Sequence, residues 1–267
     1  MTSQKQQALN DDGNIWKAKP LPWHRALAPD ALKQKERTLP SKKKIRQFAL
    51  VCLEWYETSG RRFKWRREHM PLYEVIVAEC LLQRTKAVTV EAFLSPFIKQ
   101  FPTWRAIAGA DRSDLEATLR PVGLQRRRSA SMQAMAQAVL ARGCKVPSDP
   151  QELLALPGVG QYLYYAVTLY RDDAALPLLD SSMARLLERC FGKRILADIR
   201  YDPYLQQLSR KIVEQGEPKR LNWAMLDLAA MVCKLTKPRC EICPLKPSCA
   251  LFRSHKSAVN FKRSRIQ

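Results

Sequence analysis

Glycine is scarce in this chain, with 9 residues in 267. That is about half of the roughly 7% usual in globular proteins. So few permissive backbone positions suit a helix-rich, strand-poor chain. Acid is short as well: 25 Asp and Glu face 46 Lys and Arg, a formal net charge of +21. Such an excess points to a polyanionic partner, nucleic acid before an acidic membrane surface. No stretch approaches the ~20 apolar residues of a membrane span. The opening "MTSQKQQALNDDGN" has no apolar signal core. The expectation is a soluble, cytoplasmic protein, nucleoid-associated in a prokaryote, with no membrane partner. Alternating strand patterns and internal repeats are also missing.

What is present is helical periodicity. Phe48, Val51, Cys52, Trp55 and Tyr56 form one stripe at helical spacing. Further helices are predicted through "LYEVIVAECLLQRT", "AFLSPFIKQF", "SASMQAMAQAVLARG", "PQELLAL", "QYLYYAVTLY", "DSSMARLLERCF", "YLQQLSRKIVEQ" and "LNWAMLDLAAMVC". Asp149 and Asp180 stand where helix caps belong. The fold class is therefore all-α. Residues 1–44 are proline-broken and basic and read as an arm, with Trp16 and Trp23 able to pack on the body and a short helix possible at Ala31 to Arg37. Residues 253–267 read as a basic tail.

Eight cysteines in a chain of this class argue against a disulfide framework. Four of them, Cys233, Cys240, Cys243 and Cys249, are spaced C-x6-C-x2-C-x5-C. Four thiolates at this density can hold zinc or an iron–sulfur cluster. One close pair with longer arms on either side suits a cubane better than a single tetrahedral ion. Cys52, Cys80, Cys144 and Cys190 read as buried thiols.

A second motif is "LPGVG", residues 156–160, between two predicted helices. Glycines there let the backbone turn tightly and let a ligand come close. The helix that follows offers free N–H groups and partial positive charge to a phosphate. By itself the pattern serves a plain connector equally well.

Together, "MLDLAAMVCKLTKPRCEICPLKPSC" and "LPGVG" resemble the iron–sulfur loop and the hairpin of the helix-hairpin-helix DNA glycosylases, the endonuclease III superfamily. The likeness is nearest to the thymine-mismatch and adenine-mismatch branches and covers roughly residues 45 to 252. It implies a six-helix domain over 65–180, and a cluster domain assembled from 45–64 and 181–252. The DNA groove lies between them, and a flipped base enters it. It further implies a [4Fe–4S] cluster on the four cysteines, with Lys237 and Arg239 of the same loop near DNA. Gly158, Val159 and Gly160 become the phosphate-gripping turn.

Tyr162, two residues after the second glycine, stands where bifunctional members carry an attacking lysine. A phenol forms no Schiff base, so base removal without strand cleavage is implied. Asp180, eighteen residues on, matches the essential aspartate. A carboxylate there stabilises the cationic sugar formed as an N-glycosidic bond breaks. Glu79, a lone acid in an apolar segment, matches the glutamate that helps the base depart. Gln83 and Arg84 match the base-pair-probing stretch, and Leu124 and Gln125 the wedge region.

That wedge stretch, "VGLQRRRSASM", lacks the tyrosine pair usual in the adenine branch. The chain also ends eighteen residues after Cys249, too soon for that branch's further domain. Ser182 replaces the asparagine usual in both branches. The resulting expectation is a monomeric, monofunctional glycosylase acting on double-stranded DNA, with thymine or uracil opposite guanine as substrate. The alternatives are removal of mismatched adenine or another modified base, a noncatalytic DNA-binding protein, or an iron–sulfur electron carrier.

Overall fold

A computed structural model of the chain describes residues 37–254. Most of the basic arm, with Trp16 and Trp23, and all but the first two residues of the tail lie outside the described residues. Among those described, every regular element is helical. Eleven α-helices follow in order: α1 Lys42–Ser59, α2 Leu72–Leu82, α3 Ala87–Gln100, α4 Trp104–Gly109, α5 Arg112–Leu119, α6 Gln125–Leu140, α7 Pro150–Leu154, α8 Gln161–Asp172, α9 Ser181–Phe191, α10 Pro203–Val213 and α11 Pro218–Asp227. No helix of the described residues is long and apolar enough to cross a membrane.

The buried side chains form two cores. One runs from Phe63 to Leu178 and holds the buried faces of α2 through α8. The other joins α1 to the chain after Leu179 and extends to Leu245. α2 sits centrally in the first, packed on α8 and α3. Its residues Val75 to Leu81 are all buried, which explains why its sequence is apolar on every side. In the second core α1 packs on α11 and α10.

Three segments differ from the sequence expectation. The first helix begins at Lys42, ahead of Ile45, because the Ser41 side chain accepts from the Lys44 amide. Arg37 is also placed on the body: its guanidinium lies over the Tyr204 ring and donates to the Phe191 carbonyl. α4 and α5 were not expected. They are six and eight residues long, and caps define them better than periodicity does. Thr103 and Asp111 each accept from an amide of the first turn. The last predicted helix stops at Asp227 and widens into a π-turn over Leu228–Val232 before Cys233. Arg185 of α9 donates to the Ala229 and Cys233 carbonyls there.

One cysteine also departs from expectation. Cys52, Cys80 and Cys190 are buried, whereas Cys144 is exposed. It follows Gly143 in a left-handed turn beyond α6, with φ +62°, off the apolar face of that helix.

Candidate active site

Glu79 sits on the last full turn of α2, and Asp180 is the cap of α9. The chain reaches Asp180 through an extended segment pinned from the side. Asn222 of α11, fully buried, accepts from the Leu178 amide and donates to the Leu176 carbonyl. The Asp180 carboxylate is held in turn by the Met183 amide at 2.7 Å. Tyr162 lies on the first turn of α8, half-buried against the first core.

These three side chains line one cavity of about 600 Å³, together with Gln83, Arg84, Lys86 and Ser182. Glu79 is only 5% exposed, and its Oε2 has no hydrogen-bond partner. Burial pushes the Glu79 carboxyl up to about 7. Arg66 opposes that rise and Asp180 adds to it. The Asp180 carboxyl is raised too, mainly by burial, against the lowering effect of the amides it accepts from. The Tyr162 phenol is driven well above its ordinary value by burial, then by Glu79 and Asp180. A buried carboxyl with one unpartnered oxygen, pushed up to about 7 by burial, can carry a proton to a leaving group.

Another wall of the cavity is lined by Arg61 and Arg66, whose shared partner lies behind them. Asp227, fully buried at the end of α11, pairs with Arg61 at 2.6 Å and Arg66 at 2.9 Å. Arg61 also donates its backbone amide to the same carboxylate. Trp65 and Trp223 line the cavity beside them. The signal lay in the sequence: Asp227 is a lone acid in the apolar run "LNWAMLDLAAMVC", the same pattern that marked Glu79. The arginines of "RRFKWR" supply its partners.

The hairpin lies outside the cavity lining. Gly158 has φ +83°, and a Cβ there would stand 2.5 Å from Ser131 Oγ. Gly160 has φ −97°, and a Cβ there would meet nothing within 4 Å. No side chain caps α8, which leaves its first amides without a side-chain partner, and Gly158 and Gly160 ahead of it are exposed. Leu124 is 44% exposed in a left-handed conformation just ahead of α6, with Gln125 half-buried behind it.

Cys233, Cys240, Cys243 and Cys249 line a second, apolar cavity of about 120 Å³ with Leu186, Val232 and Phe252. Arg189 donates to Cys233 Sγ at 3.3 Å. Among the described residues, no three Cys, His, Asp or Glu side chains converge tightly enough to hold one metal ion. Four thiol side chains on one loop are the donor type that iron–sulfur clusters take. Lys237 and Arg239 are exposed on this loop.

Residues 77–197 match the HhH-GPD superfamily base excision DNA repair protein model. A thymine-DNA glycosylase of Aeropyrum pernix is 33% identical over 207 residues, 76% of this chain and 92% of that protein. An adenine DNA glycosylase of Mycolicibacterium smegmatis is 28% identical over 72% of this chain and 66% of its own length. The structure of a thermostable thymine-DNA glycosylase superposes with a TM-score of 0.74 at 26% identity, covering 80% of this chain and all of that one. The chain belongs to the HhH-GPD superfamily of base excision repair DNA glycosylases.

Proposed function

We propose that this chain is a monofunctional DNA glycosylase that removes thymine or uracil opposite guanine. The observation that carries the chemistry is the meeting of Glu79, Asp180 and Tyr162 in one cavity. A flipped nucleotide enters it. Asp180 stabilises positive charge on the sugar as the C1′–N bond breaks. Glu79, protonated near neutral pH, gives a proton or hydrogen bond to the departing base. Water adds to the sugar carbon, its proton passes to the Glu79 carboxylate, and the hydrolysis is complete. Tyr162 fills the space beside the carboxylates with a group that cannot form an imine.

The base assignment leans on the thymine-DNA glycosylase relative, matched over 92% of its length, and on the wedge stretch without tyrosines. Removal of mismatched adenine is the second reading, favoured by the adenine-specific relative.

The family resemblance also brings the [4Fe–4S] cluster, which we assign to Cys233, Cys240, Cys243 and Cys249. When bound it ties the basic loop carrying Lys237 and Arg239 into a fixed shape for phosphate contact, and it takes no part in bond breaking. The protein acts on double-stranded DNA as a monomer, in the compartment that holds DNA.

Borohydride trapping tests the monofunctional assignment. The natural protein should give abasic sites cleaved only by added alkali, and no covalent complex. Tyr162→Lys should gain one. Efficient trapping by the natural protein overturns the assignment, and the exposed Lys86 on the cavity lining is then the first amine to remove.

A further inference from the structure

Arg128, on the first turn of α6, is only 6% exposed. Its guanidinium donates to five oxygens on two separate turns. On one side these are the carbonyls of Leu81 at 3.2 Å and Gln83 at 2.8 Å, and the Thr85 hydroxyl at 3.0 Å. On the other they are the carbonyls of Val122, at 3.0 Å, and Gly123. Thr85 adds a cross-tie of its own, donating to Val122 at 3.1 Å. No carboxylate of the described residues forms an ion pair with Arg128.

A buried cation without a counterion is costly. For filling volume alone, an apolar side chain is the cheaper choice. What the guanidinium does here is satisfy carbonyls that two turns leave open, among them the C-terminal carbonyls of α2. Each turn also holds a strained residue next to a bonded carbonyl. Arg84 has φ +58° and Leu124 has φ +53°, and neither is glycine. Strained positions of this kind persist only where the surroundings fix them.

We infer that Arg128 is a positioning residue that locks the Gln83–Arg84 turn and the Leu124 turn into one rigid unit, so that both enter the duplex together and extrude the base. This rests on the glycosylase reading above, in which those turns face DNA. The two turns lie some forty residues apart in sequence. Without the clamp, each would have to find its own strained shape on the DNA.

The test is a double-mutant cycle on the full, cluster-loaded chain. Arg128→Met, Leu124→Ala and the double variant are compared on a G·T or G·U duplex carrying 2-aminopurine beside the mismatch. Single-turnover excision and the fluorescence rise on unstacking are both read, with the melting temperature as a check on folding. Arg128→Met should fold, lose the unstacking signal and slow excision by about 10²-fold, the scale of a ~1 Å misplacement. Leu124→Ala should then add almost nothing, because the wedge is no longer presented. Should Arg128→Met not fold, Thr85→Val, which removes one tie to each turn, is put through the same cycle with the same expectation of non-additivity. Fully multiplicative effects, or an unstacking signal that survives the variant, overturn the inference. A natural protein that unstacks the probe but excises no base sinks the glycosylase reading instead and leaves the clamp standing.

Discussion

Asp180 and Glu79 differ in what surrounds them, and that difference separates their roles. Asp180 accepts an amide hydrogen bond at the start of a helix, which favours its anion against the burial that raises its carboxyl. Glu79 has an oxygen with no partner and is held near pKa 7. Asp180→Asn keeps the shape and the cap acceptor but removes the charge. It should lower single-turnover excision by about 10²–10³-fold with duplex affinity unchanged in a filter-binding titration. An active Asp180→Asn variant leaves that residue a helix cap only. If Glu79 acts as an acid, excision should fall as pH rises through about 7, and Glu79→Gln should flatten that limb. The same group fixes a stability trend. Its pKa is raised from the ordinary 4.5, so the folded state holds the proton more tightly than the unfolded chain. Stability should therefore fall as pH rises from 4.5 to about 7, and urea melts of Glu79→Gln should lose that slope.

At the scale of elements, the two hairpin glycines have separate physical reasons. Gly158 needs its positive φ, and a Cβ there would push the Ser131 hydroxyl aside, so Gly158→Ala should destabilise the fold by about 1–3 kcal/mol. Gly160 has ordinary dihedrals and open space. If the turn grips a backbone phosphate, Gly160→Ala should leave the melting temperature almost unchanged yet weaken binding to all duplex sequences alike, its methyl group standing in the way of that phosphate. A change in base preference with affinity intact contradicts the phosphate-gripping role.

These elements also show what could be read in advance. The long helices and the apolar character of α2 were legible, because periodicity and lone polar residues survive in one dimension. The gathering of Glu79, Tyr162 and Asp180 came through a family pattern and not through composition. α4 and α5 were missed because short capped helices carry too few turns for a period to register. Arg128 was visible only as one of three consecutive arginines. Its partners are backbone carbonyls, which no sequence displays.

At the scale of the molecule, a buried ion-pair cluster joins the two cores beside the cavity. Asp227 belongs to α11 in the second core, and Arg66 follows Trp65 of the first. Asp227→Ala leaves the largely buried Arg66 uncompensated and should cost about 3–5 kcal/mol in denaturant unfolding. A loss under ~1 kcal/mol shows the pair to be exposed in solution. The formal charge of +21 predicts duplex affinity that falls steeply with salt, as phosphate contacts release counterions. The cysteine cavity predicts a brown protein with iron and sulfide in equal amounts, and zinc without acid-labile sulfide rules the cluster out.

On the reading proposed above, this chain hydrolyses one N-glycosidic bond in mismatched DNA and leaves the backbone whole. A panel of otherwise identical duplexes, each with one defined mismatch, tests it most directly when scored for abasic sites with and without alkali. Alkali-labile sites should appear at thymine or uracil opposite guanine and not in matched duplexes, with no strand breaks without alkali and with the signal lost in Asp180→Asn. Intact DNA across the whole panel, or strand breaks that need no alkali, would rule out a monofunctional mismatch glycosylase.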